Sequence, residues 1–445
     1  MPDTLNTRLP LGQLIIYALG QMGWCLASYG VLNLLVYFYL PPDDGTTAIF
    51  PPFIYTGAIL GVITVIGLVG AGGRVFDAIT DPIIARWSDR MSSTWGRRRK
   101  MMAIAVVPFT LFSFLCFYPI SSDINTNTTL LVISIILFYL FFTAYYVPYT
   151  ALISELGKSP KERLRISTAV SLSWSFGFVL GAQVYAFKGM LVDQMGHTLA
   201  FQTVIGAYVI LAFILMLLPI FFLKENKYVD PQFTNSISQA SLKDVLKVKQ
   251  FRTFLLSDLC YWIGLTFIQI GLVYYTVELF KRPEENASLF QLIMFLLSFA
   301  CYPLVIIWSR RRGKKPVLLF AFLGFTLIFG LMAIPGLGSI SAAYYAMAVT
   351  ASLPIAIFSI LPNVVVADQS NDHSEIHGYS AAGMFYAARS LVTKLGIGLS
   401  NLLFPSLLLL NDVAPQLGTQ ITAVVAASFC FLGYLFLRGY DRAEE

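Results

Sequence analysis

LAFQTVIGAYVILAFILMLLPIFFL, residues 199–223, runs for 25 positions without one charged side chain. About 20 such residues, wound as a helix, cross the hydrocarbon of a bilayer. PVLLFAFLGFTLIFGLMAIP, residues 316–335, repeats the pattern. The whole chain is 57% hydrophobic and 12% charged over 445 residues, where a soluble domain carries about 25% charge. Continuous runs exclude a β-barrel, whose strands alternate apolar and polar positions. Abundant Gly and aromatic residues also suit helices packed in lipid. The fold class expected is an all-α membrane protein.

Working outward, the hydropathy predicts twelve spans: 11–40, 52–86, 101–120, 128–154, 166–189, 199–223, 253–278, 287–309, 316–335, 339–367, 378–410 and 417–437. The first is too long, and lacks a small-residue cleavage pattern, for a cleaved signal peptide. Taking the loops alternately, one side with both termini holds 24 of the 30 Lys and Arg residues. The other side holds Lys188, Lys281 and Arg282, and three more, Arg74, Arg389 and Lys394, fall inside spans. The bias places both termini in the cytoplasm of a multi-pass protein of the plasma (inner) membrane. The net charge of +6 is this topological bias, with no footprint for nucleic acid. The five cysteines all lie in apolar runs and read as small hydrophobes.

The hydrophilic stretch 224–250 divides the chain into six-helix bundles, 1–223 and 251–445, around a cytoplasmic central loop. Each half has a basic loop between its second and third helices, SDRMSSTWGRRRK and SRRRGKKP. Each also ends its fourth helix with a proline and then an acid, Pro148 with Glu155 and Pro362 with Asp368. Matched landmarks in two halves are the mark of parallel repeats in transporters. Glu155 and Asp368, beside loops carrying Arg90, Arg97 and residues 310–315, are the candidate cytoplasmic gate.

FDAITDP, residues 76–82, puts Asp77 and Asp81 one helical turn apart inside the second span, with Arg74 one turn earlier. A carboxylate at the bilayer centre costs about 2.5–3.5 kcal/mol on insertion scales, and such groups mark ion or substrate paths. Two ionised neighbours repel, and a bound cation, a proton or a nearby positive side chain relieves them. Arg74 and Lys394 are the positive candidates, and Thr80 and Thr143 supply neutral oxygens. Asp258 and Glu278 lie nearer the span ends. The HSEIH stretch has His373 and His377 at i, i+4 with Asp372 and Glu375 beside them, but it falls in a predicted cytoplasmic loop and reads as solvated. No metal site and no cofactor is expected. No GxSxG, Walker A or other catalytic set is present, so the chain is not read as an enzyme. Trp24, Tyr146, Tyr149 and Trp174 are aromatic candidates for lining a substrate cavity, and Arg389 joins them.

GGRVFDAITDPIIARWSDRMSSTWGRRRK (72–100) resembles the second helix and following loop of the glycoside–pentoside–hexuronide cation symporters, the melibiose permease group of the major facilitator superfamily. VPYTALISELGKSPKERLR is similar to that family's junction between the fourth and fifth helices. The stretch from Leu361 to Leu403 is similar to its tenth and eleventh. The resemblance implies the major facilitator fold, a cation site at Asp77, Asp81, Thr80 and Thr143, and a coupling lysine at Lys394. It leaves sodium, lithium and proton open, since the family's asparagine is Thr80 here. Its galactoside-binding charges are replaced by Cys25, Tyr146 and Ser171. The implied function is cation-coupled import of a small solute, a sugar or glycoside, by alternating access, with the lipid bilayer as surroundings and a monomer as the working unit. A lysophospholipid-like substrate and a non-transporting receptor on the same fold are the alternatives.

Overall fold

The computed structural model describes residues 8–43, 49–59, 61–91, 93, 95–228, 242–334, 336–337, 340–377 and 381–440. The middle of the expected central loop, 229–241, thus lies outside the described residues. Among those described, twelve long helices follow one another: α1 (Leu11–Tyr29), α2 (Val65–Arg90), α3 (Arg97–Leu115), α4 (Ile124–Leu156), α5 (Pro160–Gly181) and α6 (Val184–Phe222), then α7 (Lys249–Tyr274), α8 (Glu285–Arg312), α9 (Lys314–Met332), α10 (Ser341–His377), α11 (Ala382–Leu408) and α12 (Leu417–Arg438). α1 continues through a π-helical turn, Gly30–Leu34, into Leu35–Tyr39.

The chain forms two compact units. The first comprises residues 1–39, 50–55 and 72–235, and the second 40–49, 56–71 and 236–445. In the first unit, small residues set the spacing. A Cβ on Gly23 of α1 would stand 2.7 Å from the Ala212 carbonyl of α6, and one on Gly20 2.7 Å from Pro219 Cγ. Such close approach is how membrane helices gain contact without a hydrophobic drive between them. The fifth and sixth spans run through α5 and α6. The break between them is Gly196, at φ 75° and ψ 167°. The chain reverses there, since Tyr208 OH donates back to the Leu180 carbonyl at 2.7 Å.

α2 carries its polarity inside out. Val75, Ile79 and Ile83 are 54–58% exposed, while Arg74, Asp77 and Thr80 are 0–7% exposed. That is the pattern of a helix with lipid on one side and a polar interior on the other. α2 is shorter than the span read from hydropathy. Residues 51–59 and 61–64 are not helical, and Ala58–Ile59 pairs antiparallel with Ile63–Thr64, with Gly61 between them at a φ of 80° that suits a residue without Cβ. Nine segments of the described chain are apolar and long enough to span a membrane on composition alone. The segment 161–222 among them contains both the fifth and sixth spans, and α2 and α3 fall outside the nine because of their charges.

Two expectations about loops are corrected. Lys188, assigned to an outer loop, is buried in α6. Its Nζ donates to Tyr37 OH at 2.7 Å and lies 4.8 Å from the Phe50 ring centroid. An apolar cage suits a lysine when its ammonium meets ring faces and a hydroxyl. His373 is not in a loop either. α10 continues past the expected membrane boundary to His377, which leaves His373 buried against the Phe385 ring at 5.5 Å.

Candidate functional site

In the first unit the site is built by a missing side chain. A Cβ on Gly73 of α2 would collide with the Tyr139 ring of α4. One turn onward on both helices, the same close approach brings Asp77 to Thr143. The Thr143 hydroxyl donates to Asp77 Oδ1 at 2.6 Å, in a site where both side chains are buried. Arg74 Nη1 stands 3.9 Å from Asp77 Oδ2, the outer limit of an ion pair. Its guanidinium lies 5.5 Å from the Tyr139 ring centroid, and its Nε is buried without a hydrogen bond. Thr80 turns inward, and its hydroxyl donates to the Asp77 carbonyl at 3.2 Å. Asp81 is half-buried one turn further on. Asp77, Thr80 and Thr143 are therefore together, with Arg74 beside them. Lys394 stands half-buried on α11 of the second unit.

Such a set can hold a small cation. An anionic oxygen, a neutral hydroxyl oxygen and backbone carbonyls are hard oxygen ligands. A proton on Asp77 is the other way to make its burial tolerable.

The aromatic candidates divide. Trp24 of α1 stacks on Tyr146 of α4, centroids 4.2 Å apart and planes at 20°. Trp24 Nε1 and, one turn earlier, Gln21 Oε1 are buried without hydrogen bonds. Tyr146 lies in the field of both Asp77 and Asp81. Tyr149 instead belongs to helix packing. Its hydroxyl donates to the Tyr17 carbonyl at 2.5 Å, the Tyr17 hydroxyl returns the bond to Tyr149, and neither ring is exposed. Trp174 packs at 5.3 Å on Phe178 of its own helix. Cys25 is buried against Gly177, and Ser171 is exposed.

The charges at the helix ends are also resolved. Glu155 accepts from Arg97 Nη2 at 2.9 Å and from Arg98 Nε and Nη2 at 3.0 and 2.7 Å. Arg98 reaches on to Ser88 at 2.8 Å and to Asp89 at 2.7 Å. Arg98 takes the place expected of Arg90, which is exposed at the end of α2. The N-terminus of α3 is capped by Glu225, which sequence reading missed. Its carboxylate oxygens accept the backbone N–H groups of Arg98 and Arg99 at 3.1 and 3.0 Å. Burial pushes this carboxyl above its usual range, against the pull of those two amides. In the second unit, Asp368 pairs with Lys314.

Deeper in the second unit, Asp258 of α7 clasps Arg389 of α11, Nε to Oδ2 at 2.9 Å and Nη2 to Oδ1 at 3.2 Å. Arg389 Nη1 donates to Asn363 Oδ1 of α10 at 2.5 Å. Sequence spacing alone had left Arg389 without its partner.

Helices with an apolar outside and buried charges inside define an integral multi-pass membrane protein. Residues 16–437 match the MFS/sugar transport protein family, and the chain belongs to that family, one of transporters. It is 23% identical over 88% of its length to the isoprimeverose transporter of Lactiplantibacillus pentosus, covering 79% of that protein. It is 27% identical over 55% of its length to the putative glycoside/cation symporter YagG of Escherichia coli (strain K12), covering 50% of that protein. The chain thus spans about half the length of one of these curated relatives. The solved D-xylose-proton symporter shares the fold, with a TM-score of 0.68, 15% identity and 97% of each chain covered.

Proposed function

We propose that this protein is a cation-coupled symporter that imports a sugar or glycoside by alternating access. The observation that carries the reading is Asp77, a fully buried carboxylate that accepts a threonine hydroxyl at 2.6 Å while its arginine stands off at 3.9 Å. A buried carboxylate beside a neutral hydroxyl oxygen is a place where a cation or a proton can supply the missing positive charge. The coupling ion, sodium, lithium or a proton, sits at Asp77 and Asp81 with Thr143, and Thr80 braces the turn. Arg74 balances Asp77 when the ion has left, and that change of partner is what couples ion to solute. The stacked pair Trp24 and Tyr146 offers a ring face to the sugar, next to the carboxylates. Names of relatives agree with this reading: one is an isoprimeverose transporter and another a putative glycoside/cation symporter. Both termini face the cytoplasm of the plasma (inner) membrane, and the monomer is the working unit.

The test is uptake into proteoliposomes. Asp77→Asn and Asp81→Asn are each expected to lower ion-driven accumulation by about tenfold or more, within the usual range of coupling between sites. Counterflow exchange of the same sugar should survive in both. Undiminished accumulation in Asp77→Asn would reject the site.

A further inference from the structure

Asp258 and Arg389 form a largely buried ion pair that the cation site leaves unused. Their side chains are 1% and 12% exposed. A buried ion pair is weak support for stability, because apolar residues of similar volume do as well or better. Within a membrane such a pair points to function. Its surroundings show which one. Asn363, which receives the third Arg389 bond, is exposed, and so is Tyr386, whose hydroxyl lies 3.4 Å from the Asn363 carbonyl. An exposed asparagine and an arginine amid apolar helices mark a face that meets water and solute instead of lipid.

Arginine has five N–H groups in a rigid fork. Three are engaged here, by Asp258 twice and Asn363 once, so one on each Nη remains. Trp262 lies one turn beyond Asp258 on the same face of α7, and its Nε1 is buried without a hydrogen bond. A Cβ on Gly396, two turns beyond Arg389, would be 2.9 Å from Trp262 Cβ, so the two helices run side by side through this region. The cluster is therefore rich in donors, flanked by an indole ring, and close to neutral in charge.

We propose that Arg389, fixed by Asp258 and Asn363, binds substrate hydroxyls from the second unit, and that Asp258, by cancelling its charge, selects uncharged glycosides over glycosiduronates. The assignment rests on the symport reading above. A neutral donor set pairs with hydroxyl and ring oxygens. A uronate would bring a second carboxylate to a guanidinium already matched to one, with no positive charge left to receive it.

The experiment uses matched probes: methyl glucoside, galactoside and xyloside, and the methyl glucuronide and galacturonide. Uptake and counterflow are measured in proteoliposomes. The wild type is expected to prefer the uncharged member of a matched pair. Asp258→Asn exposes the charge of Arg389 and should raise the uronide-to-glycoside ratio by about tenfold, the worth of one charged hydrogen bond. Asn363→Asp, at an exposed position that a folding defect should spare, adds a second negative charge and should lower the ratio. Accumulation of the glycoside with the same ratio in wild type and both variants overturns this assignment alone. A wild type that accumulates no probe in response to any cation gradient defeats the symport reading and this assignment with it.

Discussion

Each unit buries an aspartate beside an arginine, and the two arrangements differ in how closely the pair is joined. Asp258 is gripped by Arg389 through two bonds of 2.9 and 3.2 Å. Asp77 holds Arg74 at 3.9 Å and takes its short bond from Thr143 instead. The sequence separations explain the contrast. Arg74 and Asp77 share one helix at i, i+3, and here the guanidinium stands 3.9 Å from the carboxylate. Arg389 and Asp258 come from different helices, so their side chains meet end to end. One carboxylate meets its arginine through two hydrogen bonds, and the other meets a threonine hydroxyl more closely than its arginine.

The largest effect that tests this contrast is on stability. Arg389→Gln leaves Asp258 buried without its counter-charge and should cost about 3–5 kcal/mol. Arg74→Gln, which removes only the distant partner of Asp77, should cost about 1 kcal/mol. Thermal unfolding in detergent reads both, and equal losses would remove the distinction between the two aspartates.

A smaller contrast separates the helix ends. Glu155 is buried and accepts from two arginines, whereas the Asp368–Lys314 pair is partly open to solvent. Glu155→Gln should cost about 1.5–3 kcal/mol, the worth of hydrogen bonds to a charged group. Asp368→Asn should cost at most about 1 kcal/mol, as exposed pairs do. Cysteine accessibility from the cytoplasmic side should likewise change more in Glu155→Gln. The reverse order would mean that the second unit carries the stronger latch.

The smallest effect is a slope. The Glu225 carboxyl is raised above its usual 4.5 by burial, so the fold favours its neutral form. That contribution is complete below the unfolded value and is lost as pH rises through the folded one. Glu225→Gln keeps the neutral form throughout. The melting temperature of the variant relative to wild type should therefore climb as pH rises above the unfolded value of about 4.5. A difference that instead falls as pH rises would show that the amide bonds to α3, and not burial, govern this carboxyl.

How far this was legible in the sequence depends on the range of the cause. The apolar runs needed only local composition, and they placed most helices to within a few residues. Asp77, Thr80 and Asp81 stood out because a charge inside such a run is anomalous by itself. Which of several adjacent arginines turns toward Glu155 was not legible. Arg90 and Arg98 differ only in how the turn at Gly96, with φ of 112°, aims the start of α3. Glu225 gave no signal, because an acid after the sixth helix looks like any solvated loop residue until the fold carries it to another helix's N-terminus. Lys188 was misplaced for a related reason: the rings that cage it come from residues 37 and 50, far away in the chain. The pairing of Asp258 with Arg389 spans 131 positions, and only the packing of α7 on α11 reveals it.

The inside-out polarity of α2 also bears on how the chain enters the bilayer. An isolated helix must regain, from its apolar residues, whatever its charges lose on leaving water. Asp and Arg at mid-membrane cost about 2.5–3.5 kcal/mol each, and a leucine or valine returns only about 0.3–0.6. Arg74, Asp77 and Asp81 together exceed what Val75, Ile79, Ile83 and their apolar neighbours supply. α2 is thus a membrane helix only in company, and its lodging in the bilayer waits on the arrival of α4 with Thr143.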